Sequence, residues 1–466
     1  MKRFFAVDVL PMALVVTGVV ALMHLWLTAD AAISLEERVP LASNVEESST
    51  GETGDILAQA EHQSFDGAPA DLPGAWPQFR GKNLDAIATE PVTLARDWPD
   101  EGPPALWSVD LGEGYAGAAV LNGCVYVADY DQEKRGDAIR CFSLADGREI
   151  WRYFYPVKVK RNHGMSRTVP SVTNDYVVTL GPKCHLVCLD AKSGELKWFI
   201  DLVKDHGGKV PTWYAGQCPL IEDGKVVVGV GGDCLIMAID IATGEIVWQT
   251  PNPHEWRMTH SSVVPVEVAG KRMYAWCASG GVVGVSGDDG SPLWETTAWK
   301  INIANVPTPV PVGEGRLFLS GGYNAGALML KLTEQKGTFQ PEILFRLEPE
   351  IFGAEQQTPI FYGGHLYGVR PDEQLVCLDL DGQVVWKSGS TDKFGLGPFT
   401  VVNGVLYVMD DDGTLTMVEA TPTSYVPLDR AKVLDGPESW GPIAVAGGRL
   451  LVRDLNRIVC LDVTSQ

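Results

Sequence analysis

The sequence predicts an all-β fold, an eight-bladed β-propeller of four-stranded blades. Three observations predict it: a recurring phrase that ends in Trp, a second hairpin upstream of each phrase, and a near-constant spacing between the hairpins. The phrase occurs as "SLADGREIW", "LDAKSGELKW", "IDIATGEIVW", "VSGDDGSPLW" and "LDLDGQVVW", closing on Trp151, Trp198, Trp248, Trp294 and Trp386. Each reads as strand, tight turn at Gly, strand. The upstream hairpins, among them "VLNGCVYV", "LIEDGKVVV" and "VAGGRLLV", place apolar alternation around Asn-Gly, Asp-Gly or Gly-Gly, pairs that suit turns with positive φ. Their turn residues fall at 123, 175, 224, 270, 315, 364, 404 and 448, intervals of 40 to 52 residues. That period fits one four-stranded propeller blade, and eight turns give eight blades.

In chain order, residues 1–32 read as a signal peptide or transmembrane anchor. "MKRFF" supplies two cations, and 9–27 is apolar apart from Pro11, Thr17 and His24. Such a run nearly spans a bilayer core of about 30 Å as a helix, and the basic flank predicts export of the rest across the cytoplasmic membrane to the periplasmic side. "ADA" at 29–31 offers small residues for cleavage, so a cleaved signal and a retained anchor are both open. Residues 33–75 carry nine acids against one base, Arg38, and a single aromatic, Phe65. Their composition predicts a flexible acidic linker. A lead-in segment covers 76–103, and the propeller 104–466. The last repeat lacks an outer strand, and "PALWSVDL" at 104–111 is expected to supply it, closing the ring without a free edge.

The net charge of −22 argues against nucleic acid, whose binders need a basic surface. The nine cysteines are dispersed, four of them in equivalent "CxL" contexts (Cys141, Cys188, Cys377, Cys460). They read as small buried apolar residues of a monomeric propeller, and no zinc or haem spacing occurs, so no metal site is expected.

The "T-G-x-x-x-W" endings resemble the tryptophan-docking repeats of the PQQ-like, quinoprotein alcohol dehydrogenase-like eight-bladed propellers, over roughly 104–466. "WPQFRG" at 76–81 is similar to the lead-in of many such chains. The resemblance implies a structural role for the five tryptophans, each indole packing between neighbouring blades. It also implies one of two occupations. One is a dehydrogenase acting on an alcohol or sugar with pyrroloquinoline quinone (PQQ) and calcium on the propeller axis. The other is a non-catalytic scaffold like the propeller of the outer-membrane assembly machinery. The dehydrogenases set adjacent cysteines against the quinone, and no Cys-Cys pair occurs here. The assembly propeller is a lipoprotein, and no lipid-accepting Cys stands near the N-terminus. The scaffold branch is the nearer one, with a membrane or periplasmic protein, or a small organic ligand, as the partner.

In a propeller, the connection from one blade's outer strand to the next blade's inner strand crosses one face and reaches the channel. Those after Trp151 and Trp198 are long for plain links, and long segments on a rigid scaffold concentrate binding residues. Their polar and aromatic content marks His163, Arg167, Trp213, Tyr214, Gln217, Trp256, His260, Lys300, Asn305, Gln356, Lys393 and Trp440 as candidate ligand-binding residues. Counting back from each inner strand predicts a ring of Tyr115, Arg167, Gly216, His260, Val306, Gln356, Gly395 and Ser439. For an enzyme, Glu355 is the expected base and Arg167 the polarising cation.

Overall fold

The computed structural model describes Val19, Met23, His24, 53–161 and 163–465. The chain divides into two compact units, 1–52 and 53–466. Nearly all of the expected anchor lies outside the described residues, and among these no helix is long and apolar enough to cross a membrane.

The second unit is an eight-bladed propeller, one sheet per blade. The inner strands are Ala118–Leu121, Ser171–Val172, Leu220–Glu222, Val264–Val268, Val310–Pro311, Ile360–Tyr362, Phe399–Val402 and Gly441–Ala446 for blades 1 to 8. The second strands are buried on both faces, because each blade is sandwiched between two others; Val226, Val227 and Val228 are all fully buried. Seven of the eight inner hairpins turn on two residues with positive φ, for instance Asn122 (51°) with Gly123 (72°) and Asp223 (49°) with Gly224 (73°). Asn-Gly and Asp-Gly tolerate this conformation, which sets the hairpin register. The ring closes where Ala105–Asp110 pairs antiparallel with Arg457–Asp462, Trp107 opposite Cys460. Arg453, fully buried, donates across this seam to the carbonyls of Gly112, Ala116 and Ala128.

The tryptophans interlock successive blades. A Cβ placed on Gly194 would lie 2.5 Å from the Trp151 ring, one on Gly244 2.7 Å from Trp198, and one on Gly290 2.2 Å from Trp248. The Gly of each repeat is therefore the seat for the preceding blade's Trp. Trp151 and Trp198 also donate their indole N–H to the carbonyls of Ala191 and Ile241 in that next blade, and Trp386 donates to Thr421. Trp294 instead reaches the Met273 sulfur within its own blade. A sixth docking residue, Trp107 on the closing strand, sits on Gly147 and donates to Leu144. In blade 5 Phe345 and Leu347 take the place of the indole against Gly382.

The linker expectation is corrected in its second half. Thr53–Ala58 is a short helix, and Glu61–Ser64 pairs with Glu149–Pro156 as a fifth strand on blade 1. Main-chain pairing needs no apolar burial, and the acidic side chains meet basic partners: Glu61 pairs with Lys134 and Asp66 with Arg148. Composition sees neither effect. The added strand covers an otherwise open sheet edge.

The lead-in segment does more than precede the blades, because it enters the channel. Trp76 exchanges both backbone bonds with Val120 on the inner strand of blade 1, and Pro77 accepts from Val172 of blade 2. Arg80 donates to the carbonyls of Leu84, Asp85, Thr358 and Pro359, and Ile87–Ala88 runs parallel to the inner strand of blade 7. Burial lowers the Arg80 pKa to about 10, with Asp85 opposing the shift, so the guanidinium stays charged at neutral pH. One segment thus ties four inner strands together and floors the channel.

Candidate functional site

Above this floor lies a cavity of about 330 Å³ at the channel mouth. Its base is Trp76, Phe79, Arg80 and Ala86 from the lead-in segment; its walls come from the connections between blades. Of the predicted ring, Tyr115, Arg167, Gly216, His260, Val306 and Gln356 line it, while Gly395 and Ser439 are represented by their neighbours Leu396 and Trp440. Of the candidate binding residues, His163, Arg167, Trp213, His260, Gln356 and Trp440 line it, as does Glu355.

The others lie elsewhere, for identifiable reasons. Gln217 is fully buried and clamps the backbone of Gly229 through both ends of its amide. Tyr214 donates to the Lys160 carbonyl and lies beneath Lys183, holding one long connection to the next. Lys393 pairs with Glu373 at 3.0 Å on the surface. Trp256, Lys300 and Asn305 belong to a second, neighbouring groove between blades 3 and 4.

Two aromatic pairs dominate the mouth. Tyr115 and Trp440 lie with ring centres 5.1 Å apart. The Tyr115 hydroxyl donates to Glu438 at 2.6 Å and the Trp440 indole to Asp411 at 2.7 Å, which fixes both rings. On the other side Trp213 stacks on Tyr323, centres 6.3 Å apart and 12° from parallel. Tyr323 comes from the hairpin after Arg316–Gly321 in blade 5, so this stack joins the blade 2–3 connection to blade 5. Trp213, Tyr214 and Tyr323 all hold positive φ (64°, 73° and 56°), a cost accepted where surrounding contacts fix the backbone.

Arg167 lies 5.2 Å from the centre of the Tyr115 ring. Burial lowers its pKa, while Tyr115 and Glu438 oppose that shift. His260 is lowered to about 4, by burial first and by the Arg167 charge second; it is a neutral imidazole at pH 7. Burial and the bond to Glu438 raise the Tyr115 pKa, so its phenol remains a donor. The cavity therefore offers apolar faces, two cations (Arg80 in the floor and Arg167 in the wall), one carboxylate (Glu355) and neutral polar groups.

This lining does not fit PQQ with calcium. Each aromatic pair packs on itself, centres 5.1 and 6.3 Å apart, so no further ring fits within either pair. Calcium takes six to eight oxygen ligands from carboxylates, carbonyls and water; Glu355 is the one acid in the lining, and no group of three or more His, Cys, Asp or Glu suited to a metal occurs among the described residues. Cys218, the one lining cysteine, is a buried thiol pushed up to about 12 by desolvation.

Sequence reasoning missed Tyr323 and the floor. It searched outer-to-inner connections, whereas Tyr323 lies in a hairpin within a blade. The floor was signalled by "WPQFRG", whose two aromatics and one Arg stand outside any repeat.

Comparison with known proteins places the fold among both occupations. The chain is 25% identical over 268 residues to the dehydrogenase subunit of a quinone-dependent alcohol dehydrogenase from Komagataeibacter europaeus, covering 53% of this chain and 33% of that one. It is 27% identical over 267 residues to the corresponding subunit from Gluconacetobacter polyoxogenes, again 33% of that protein. The matched part thus spans about a third of these curated relatives. Among solved structures, BamB from Moraxella catarrhalis superposes with a TM-score of 0.55 at 16% identity, over 77% of this chain and 99% of that one. A europium-containing methanol dehydrogenase gives 0.58 at 14% identity, over 82% and 89%. At these identities the structures establish the fold alone. A family model described as outer membrane protein assembly factor BamB matches residues 134–381, more than half of the chain, and the protein belongs to that family of PQQ-like propellers.

Proposed function

We propose that the protein is a non-catalytic binding scaffold, exported and membrane-tethered, whose channel mouth receives an apolar or aromatic side chain from a membrane or periplasmic protein. The observation that carries this reading is the socket itself: two aromatic pairs, one fixed by hydrogen bonds to Glu438 and Asp411 and one by ring stacking, over a floor made by the chain's own lead-in segment. Rigid Tyr and Trp faces beside a few polar groups are the usual anchors of protein recognition. A small organic ligand of similar shape would use the same faces. Export and tethering rest on the basic, apolar N-terminus. The alternative, a PQQ and calcium-dependent oxidoreductase acting on an alcohol or sugar, is favoured by the dehydrogenase relatives and by the presence of Arg167 and Glu355 in one cavity. The lining disfavours it.

The test is photo-crosslinking from position 323 at the mouth and, as a control, from position 246 on an outer strand, in the native envelope. The scaffold reading expects a defined protein adduct from 323 that is lost in Trp213→Ala. Equal adducts from both positions, or adducts indifferent to Trp213→Ala, would count against it.

A further inference from the structure

The channel face is electrically divided. The connections over one half of the ring, 157–170, 202–219, 252–263 and 297–309, carry eight Lys or Arg against two Asp or Glu, a net of +6. Those over the other half, 348–359, 388–398, 433–440 and 111–117, carry seven acids against one Lys, a net of −6. In a chain with a net charge of −22, a contiguous basic half is against the general trend. Arg161 pairs with Glu113 across the divide. Lys209, Arg257 and Lys300 are exposed and make no ion pair among the described residues.

These three cations surround the second groove, of about 630 Å³, between blades 3 and 4. Thr212, Thr259 and Asn302 add neutral polar groups, and the groove shares His260 and Ala304 with the aromatic cavity. Glu255 also lines the groove, leaving three cations against one acid; the two recesses are thus adjacent, one apolar and aromatic, the other net basic and polar. We infer that the groove takes an extended acidic segment of the protein partner, rich in Asp or Glu and leading away from the residue seated in the socket. The inference rests on the scaffold reading and adds the chemistry of the partner. Charge complementarity selects an acidic chain. A flat anionic surface does not suit this face, because the acidic half would approach it together with the basic half. A segment narrow enough to follow the groove avoids that repulsion.

The experiment is fluorescence anisotropy of labelled oligoglutamate against the full-length protein at low and moderate salt, with oligoglutamine as the neutral control. Saturable binding of oligoglutamate alone is expected, weakened by salt as screening predicts. Lys209→Glu/Arg257→Glu/Lys300→Glu should weaken it by roughly tenfold or more, while Lys192→Glu/Lys387→Glu, away from the groove, should not. Unchanged circular dichroism and melting temperature verify that each variant folds. The inference is overturned if oligoglutamate fails to bind, if the groove variant binds it as well as the parent, or if phosphatidylglycerol vesicles compete it off through the same cations. It is overturned equally if the protein dimerises through these cations, since a second copy would then be the occupant. Crosslinking from position 323 separates this from the scaffold reading. An adduct that persists in the groove variant leaves the scaffold standing without the acidic segment, whereas loss of specific adducts altogether removes the scaffold.

Discussion

Two glycines with nearly the same backbone angle isolate the contribution of tryptophan docking. Gly194 has φ +76° and Gly224 has φ +73°. A Cβ on Gly224 would meet nothing within 4 Å, whereas one on Gly194 would lie 2.5 Å from Cδ2 and Cε3 of Trp151. Alanine at either site carries the left-handed backbone penalty of roughly 1–2 kcal/mol. Gly194→Ala must in addition displace a buried indole, and overpacking of that kind costs roughly 1–3 kcal/mol. The expected losses are therefore about 1–2 kcal/mol for Gly224→Ala and about 2–5 kcal/mol for Gly194→Ala. Urea unfolding, followed by far-ultraviolet circular dichroism with slopes compared between variants, measures both. The double variant Trp151→Ala/Gly194→Ala supplies the internal control: truncation alone costs about 3–5 kcal/mol, but it also removes the clash, so the two losses should fall short of additive by about 1–3 kcal/mol. Equal losses in the two glycine variants, or strict additivity in the pair, would refute the docking account of the repeat.

Other outcomes follow from the same structure. Arg453→Met should destabilise by about 1–3 kcal/mol, since it leaves the carbonyls of Gly112, Ala116 and Ala128 without its donors, while Asp129 keeps its closer pair with Arg140; Arg453→Lys should recover little of this, as one ammonium cannot reproduce the fork. Both are measured by urea unfolding. Two buried groups should show opposite pH dependence. His260, lowered to about 4 by burial and by Arg167, binds its proton more readily when unfolded, so its contribution falls as pH drops from 6.5 towards 4, by about 3 kcal/mol in all. Asp137, raised to about 7 by burial against the Tyr155 hydrogen bond, retains its proton in the folded state, so its contribution falls as pH rises from 4 to 7. The two slopes oppose one another between pH 4 and 6.5. His260→Asn should therefore leave stability falling with rising pH across that window, and Asp137→Asn should leave it rising; thermal melts at several pH values read the sign. Arg80 in the channel floor offers a further check. Arg80→Ala should loosen the channel floor, seen as faster hydrogen exchange at Ile87–Ala88.

The architecture was legible because its devices are local and repeated. Asn122–Gly123 and Asp223–Gly224 announce hairpins through backbone tolerance, and each Gly four positions before a Trp marks both a turn and the seat of another blade's indole. The closing strand was legible because "PALWSVDL" precedes the first repeat without a hairpin of its own. Six members of the predicted ring line the cavity for the same reason: a fixed count from an inner strand is a fixed position on the face. What failed was non-local. Gln217 and Tyr214 carry binding chemistry but spend it on Gly229 and Lys160, and no spacing rule reveals a backbone partner in another strand. Glu61–Ser64 looked like a solvated tether because its ordering comes from the edge of blade 1. Trp76 to Ala88 became the channel floor through contacts with strands from Val120 to Val402, 282 residues apart in sequence. The division of charge around the rim was present in the sequence, yet becomes visible only when the connections are sorted by blade.

The central claim is that the channel mouth is a rigid socket for a partner's side chain, not a quinone site. The most direct measurement is a PQQ titration of the full-length protein with calcium, read by intrinsic tryptophan fluorescence and by dye reduction on adding alcohols. The account predicts no saturable quenching and no dye reduction, because the lining offers calcium a single carboxylate, Glu355, and neither aromatic pair opens to take a ring between its members. Saturable quenching that disappears in Trp213→Ala, together with alcohol-dependent dye reduction, would contradict it and make the cavity a catalytic one.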